Sequence, residues 1–143
     1  MSRPFDALIE RRMHIDGLSE RDFSGASSSE IGELEKALGR KLPRQYRAYL
    51  SQMGWEPGHA MRGSDIRFGC LAEINLELGE FARESGLDIP SDAIAIMAHQ
   101  GYEYWFVRAS EGDDPPVYVA REDRGIRRSM KTVSDWVEHL FAA

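Results

Sequence analysis

Cysteine is almost missing from this chain: Cys70 stands alone among 143 residues. No internal disulfide can form, and a lone thiol suits a reducing compartment, so a cytoplasmic location is expected. Histidine is sparse as well. His14, His59, His99 and His139 are scattered, with no two at metal-ligand spacing, so no zinc site is expected. Nowhere do enough apolar residues follow one another to span a bilayer, which takes about 18. The stretch Met1–Asp6 lacks the apolar run of a signal peptide. No glycine-rich phosphate loop follows a strand pattern. Lysine is rare, with 15 of the 18 basic residues being arginine, a bias that carries no function.

What is present is ordinary for one globular domain. Hydrophobic residues make up 42% and charged residues 29%, which excludes a disordered tail, a collagen-like repeat and a disulfide scaffold. Acids outnumber bases, 24 to 18, for a net charge of −6. Such a balance repels phosphate backbones, so nucleic-acid binding is disfavoured.

Hydrophobic periodicity divides the chain into segments. Phe5, Leu8, Ile9 and Met13 have helical spacing. Residues 16–29 read as a polar connector ending at Ser27, which with Glu30 forms a capping-box pattern. A helix bearing Ile31, Leu34 and Leu38 follows and ends at Gly39. Pro43 fits the first position of a second helix, with Tyr46, Tyr49, Leu50 and Met53 at core spacing up to Gly54. Residues 54–64 read as a loop, Ile66 to Cys70 as a short strand, and Leu71 to Gly86 as a helix. Beyond Pro90 the pattern turns to β. Strands are expected over Ala93–Ala98, Tyr102–Arg108 and Val117–Ala120, with a turn at Gln100-Gly101 and a basic loop from Arg124. Thr132 with Asp135 caps a last helix around Trp136. The expected class is α+β: helices packed on an antiparallel meander with a C-terminal helix, one domain over 1–143.

Two stretches are more specific than periodicity. The run from Glu30-Ile31 through Leu34-Glu35, Leu38-Gly39, Leu42-Pro43, Tyr46-Arg47 and Tyr49-Leu50 to Gly54 resembles the N-terminal signature of the SUKH superfamily. His99-Gln100-Gly101-Tyr102-Glu103-Tyr104-Trp105-Phe106, then Asp113 to Tyr118 and the helix around Trp136, resembles its C-terminal half. The likeness spans residues 27–141, with 1–26 an appended helix and connector. It implies a binding module without catalytic residues or cofactor. Many bacterial members are immunity proteins that neutralise a toxin, often a nuclease, whereas Smi/Knr-like fungal relatives act as scaffolds. The expected function is therefore cytoplasmic toxin neutralisation by a monomer or small oligomer, without nucleic acid or membrane as partner. The alternative is a non-catalytic adaptor that binds a host protein.

Independently of that likeness, charge is uneven. Residues 1–60 are neutral, and the whole excess of acid lies in 61–143. At 100° per residue, Glu73, Glu77, Glu80 and Glu84 fall within roughly 60° of one another, opposite Leu71, Ile74, Leu78 and Phe81. The plain reading is a solvated helix face. The sharper one is a docking stripe for a basic toxin domain, because like charges four apart cost a few tenths of a kcal/mol per pair and an acidic surface steers a cationic partner. Further candidate partner contacts are Trp55 in a glycine-rich loop, His99 and Gln100 at the turn, Glu103, and Asp113 with Asp114. These two aspartates lack calcium-loop spacing, and a turn with an acidic surface is their plain reading. A Cys70–His99 thiol and base, and phosphate contact by Arg40, Lys41, Arg44 and Arg47 or by Arg124, Arg127, Arg128 and Lys131, are weaker readings.

Overall fold

Residues 3–141 are described by a computed structural model, beginning with α1 (Asp6–Asp16). Phe5 and Leu8 are buried, and the start of the helix is pinned by Gln52. That side chain accepts the Phe5 N–H at 2.9 Å and donates to Asp6 Oδ1 at 2.9 Å. The connector is more ordered than its polar composition suggests. It contains a 3₁₀ turn at Glu20–Asp22 and a short strand, β1 (Phe23–Ser24). Gly25 then presses against the Ser51 carbonyl, where no Cβ fits.

Ser27 and Glu30 form the expected capping box: Ser27 Oγ accepts the Glu30 N–H at 3.1 Å and the Glu30 carboxylate accepts the Ser27 N–H at 2.9 Å. It opens α2 (Ser28–Leu38), which ends at Gly39 with φ 71°, a conformation that suits glycine. Pro43 is the N-cap (φ −57°, ψ 145°) rather than the first helical residue of α3 (Arg44–Met53). The loop that follows contains β2 (Glu56–Pro57), antiparallel to β1, so two segments that look irregular in sequence complete each other.

The stretch Ile66 to Cys70 is not a strand. Asp65 makes an isolated bridge to Ala98, and Phe68–Cys70 winds into a 3₁₀ turn. The Phe68 N–H reaches the Gly54 carbonyl at 2.7 Å and its ring packs on Trp55 at 5.3 Å; these long-range contacts override the local β preference. The turn leads directly into α4 (Leu71–Ser85).

The main sheet is an antiparallel meander of β3 (Ala93–His99), β4 (Glu103–Arg108), β5 (Val117–Arg121) and β6 (Gly125–Met130), in that order. β6 occupies the stretch that the sequence pattern reads as a basic loop. Its Arg127 and Arg128 are exposed on an edge strand, where charge is tolerated and apolar alternation is not required. Asn75 fastens α4 to β3: its amide accepts the Ala95 N–H at 2.8 Å and donates to the Ala95 carbonyl at 3.1 Å. Ala95 flanks a bulge in the β3–β4 ladder, and the side chain satisfies backbone groups that would otherwise lie unpaired. On the other side of the core, Thr132 Oγ1 accepts the Asp135 N–H at 3.0 Å and opens α5 (Val133–His139). Trp136, fully buried, packs edge-on against Tyr49 at 5.2 Å and joins α5 to α3. The architecture is α+β with a C-terminal helix. Among the described residues, no helix is long and apolar enough to cross a membrane.

Candidate functional site

The apolar stripe of α4 decides where its carboxylates point. Leu71, Ile74, Leu78 and Phe81 are buried, which leaves Glu73, Glu80 and Glu84 exposed on the opposite face and Glu77 half-buried at its margin. Glu77 accepts the Tyr104 hydroxyl at 3.3 Å, and the Tyr104 ring packs on Phe81 at 4.8 Å. Burial, and after it the Glu77 charge, pushes the Tyr104 phenol up to about 12. None of the four glutamates lies in an ion pair with a described residue.

Asp65 joins this surface through the sheet. It pairs with Ala98, and Ala98 pairs with Tyr104, so Asp65 stands two positions across the ladder from the tyrosine that touches Glu77. Its exposed carboxylate lies in the same field as the helix. Asp65 carries no periodic signal of its own; only the bridge to β3 places it. The Cys70 thiol sits at the edge of this patch. Burial, then Asp65 and Glu73, raises its pKa, the reverse of what a nucleophile requires. His99 Nδ1 lies 3.0 Å from Ser64 Oγ, so its recorded partner is that hydroxyl and not the thiol.

Leu76 is the second residue that charge patterning overlooks. It is 75% exposed and stands between Glu73 and Glu80, three and four residues away along one helix face. Beside it, the C-terminal end of α2, the flank of α4 and the approach to β3 enclose a groove of about 450 Å³, lined by Leu38, Ala72, Leu76, Gly79, Ala82 and Pro90 among others. The signal for Leu76 is present in the sequence: position 76 lies well off the buried stripe, so a large apolar side chain there has no place in the core.

The turn candidates converge on the same end of the sheet. Gln100 and Gly101 take φ 51° and 77°, and the Tyr102 N–H closes on the His99 carbonyl at 3.3 Å. His99 faces Glu103 across the hairpin. Glu103 accepts the Trp105 indole N–H at 2.9 Å and faces Arg121 at 3.5 Å. Tyr102, 43% exposed, lies under the Arg121 guanidinium at 5.2 Å. Of the alternating aromatics in β4, Tyr104 and Phe106 are buried while Trp105 stays half-covered.

Trp55, 39% exposed, is held away from this cluster by Phe68 and by Glu30, which accepts its indole N–H at 3.2 Å. Asp113 and Asp114 lie at the opposite end of the sheet, before β5 begins, and are not brought together with the α4 stripe. The Asp114 carboxylate is engaged inside the fold: it accepts the Ser134 N–H at 3.0 Å and hydroxyl at 2.8 Å. Asp113 contributes its carbonyl to the Gln45 N–H at 2.9 Å and leaves its side chain exposed. Among the described residues, no group of three or more His, Cys, Asp or Glu side chains is placed to hold a metal ion.

Residues 25–139 of this α+β domain match the family model of the SMI1 / KNR4 family (SUKH-1), and the chain belongs to that family. The family is generally non-catalytic and is compatible with immunity and scaffold roles. No curated protein matches the chain.

Proposed function

We propose that this chain is an immunity protein that binds a cognate bacterial toxin domain, often a nuclease, in the cytoplasm and blocks it. The observation that carries this reading is the row of Glu73, Glu80 and Glu84 on α4, with Glu77 and Asp65 along one margin and exposed Leu76 along the other, none of the four glutamates lying in an ion pair with a described residue. Repulsion within such an array costs stability locally, and a basic partner relieves it. A nuclease domain is commonly basic where it holds its substrate, so the array steers the encounter while Leu76 supplies a desolvated anchor. Family membership supports a role in binding rather than catalysis.

The test combines a growth assay with kinetics. The product of the neighbouring gene is expressed with and without this chain, and association of the purified pair is followed at low and high salt. Neutralisation by a stoichiometric complex is expected. Replacing the four glutamates with glutamine lowers the association rate by roughly tenfold or more at low salt. A partner that binds but is not toxic would instead establish an adaptor, and unchanged association in the glutamine variant would remove the stripe from the interface.

A further inference from the structure

We infer that the groove beside the acidic stripe seats a basic amphipathic helix of the partner, with its apolar face against Leu76 and Gly79 and its cations over Glu73 and Glu80. This rests on the reading of α4 as the docking face, and adds the form of the segment that docks.

Shape gives the first reason. The wall formed by α4 runs from Ala72 to Ala82, about 15 Å of helix axis, enough to hold about three turns of a second helix. Small side chains at 72, 79 and 82 let another backbone approach, while Leu76 projects from the same wall as a single large apolar knob. Helix-in-groove recognition uses such a pairing of a knob and a shallow apolar trough.

Gly79 gives the second. It stands in the middle of α4, where glycine weakens a helix. Nothing in the fold calls for it: its φ is not positive, and a Cβ built there meets only the mobile end of Arg83 at 3.8 Å. A residue that weakens its own helix without relieving a contact fits a role outside the folded monomer. Its effect is to leave the middle of the groove open.

Charge selects the occupant. On the helical wheel Glu73 and Glu80 border Leu76 on the side away from the trough, so a docked helix places one polar flank over carboxylates, and that flank is basic. Arg40 lines the groove on the α2 side, leaving a place for an acidic residue on that flank, while the end of Arg83, which lies near position 79, swings aside for the docked helix. A second copy of this chain is a poor fit, because two α4 faces packed together oppose their own glutamates.

Three probes test the inference with the full chain. The first is a synthetic peptide of about 14 residues carrying leucine along one helical face and lysine along the adjoining flank. Its sequence-scrambled isomer, of the same charge but without an apolar face, is the second, and the toxic neighbour itself is the third. The variants are Gly79→Leu, which fills the trough, and Glu73→Gln with Glu80→Gln, which neutralises the rim. The patterned peptide is expected to bind and become helical. Gly79→Leu weakens it by roughly tenfold or more, the loss that goes with excluding one leucine-sized apolar contact, while melting temperature is maintained or raised. Equal binding of the scrambled isomer, no binding of either peptide, or indifference to Gly79→Leu overturns the inference. If Gly79→Leu protects against the toxin at the wild-type rate and the glutamine variant does not, the groove fails and the acidic docking face stands. If both variants protect at the wild-type rate, the reading of α4 itself fails.

Discussion

The Tyr104 hydroxyl donates to the Glu77 carboxylate at 3.3 Å, tying the middle of the acidic helix to the second strand of the main sheet. The contact joins the core to the candidate binding face: the ring is buried against Phe81, while the acceptor stands at the margin of the carboxylate array. Glu77 is therefore the member of the stripe least free to meet a partner, and Glu73, Glu80 and Glu84 carry most of its exposed charge.

Alkaline stability reports on that contact together with Tyr46, Tyr49 and Tyr118, whose phenols burial also pushes up. Tyr104 is raised from 10 to about 12, first by burial and then by Glu77. A group whose folded pKa is raised contributes stability below its unfolded value that is lost as pH climbs through the folded one. Stability is therefore expected to fall between pH 10 and about 12. Tyr104→Phe should reduce that slope, and Glu77→Gln should bring the tyrosine titration down towards 10 by a smaller step, because burial is the larger cause. Ultraviolet titration of the phenolate checks both.

Acid stability reports on Asp92, at the far end of the β3–β4 pair. Its Oδ2 accepts the Ser110 hydroxyl at 2.6 Å and N–H at 3.0 Å, and its Oδ1 accepts Arg108 Nε at 2.9 Å. The Ser110 hydroxyl is the largest cause that brings the carboxyl from 3.8 down to about 2. With a depressed folded pKa the contribution is present above 3.8 and lost as pH falls through about 2. Asp92→Ala is expected to cost about 2 kcal/mol at neutral pH, the scale of hydrogen bonds to a charged group. Denaturant unfolding at pH 7 and pH 2 should show that cost largely vanish in acid.

The paired acids before β5 should separate cleanly. Asp114→Ala removes two hydrogen bonds to Ser134 in the first turn of α5 and is expected to destabilise by about 1 kcal/mol, as loss of a helix cap does. Asp113→Ala exposes nothing and removes no recorded side-chain bond, so its melting curve should overlay that of the parent chain. Equal effects in thermal melts would contradict the division of labour drawn from the geometry.

Gly79→Ala tests whether the glycine has a role in folding. The site is open apart from the end of Arg83, so the methyl group meets no resistance and α4 gains helix propensity. Stabilisation of about 0.5–1 kcal/mol is expected. A destabilised variant would show that the fold itself needs glycine there.

Local chemistry made parts of this protein legible. The capping pairs Ser27/Glu30 and Thr132/Asp135 act across three residues, and the helix ends they mark need no knowledge of the rest of the chain. Gly39 and Gly86 are similar, each taking the left-handed turn that follows its helix. The segregation of Glu73, Glu77, Glu80 and Glu84 from Leu71, Ile74, Leu78 and Phe81 also follows from helical arithmetic. The strand expected at Ile66–Cys70 failed because the Gly54 carbonyl takes the Phe68 N–H and the Trp55 ring holds the Phe68 ring, both more than ten residues away in sequence. β6 was hidden for the converse reason: Arg127 and Arg128 look like loop residues until β5 supplies the partner for their backbone.

The sequence by itself thus determined the helices, the caps at Ser27 and Thr132 and the sign of the charge on α4, because each depends on residues within one or two turns of one another, and it carried the family signature in two longer stretches. Tertiary structure alone decided which carboxylates share a surface and which serve the fold. Asp65 enters the acidic patch through a bridge to Ala98, Asp114 is diverted to Ser134, and the groove exists only where α2, α4 and the approach to β3 meet. Those pairings join positions far apart in the chain, and no periodicity or propensity along it encodes the distance between them.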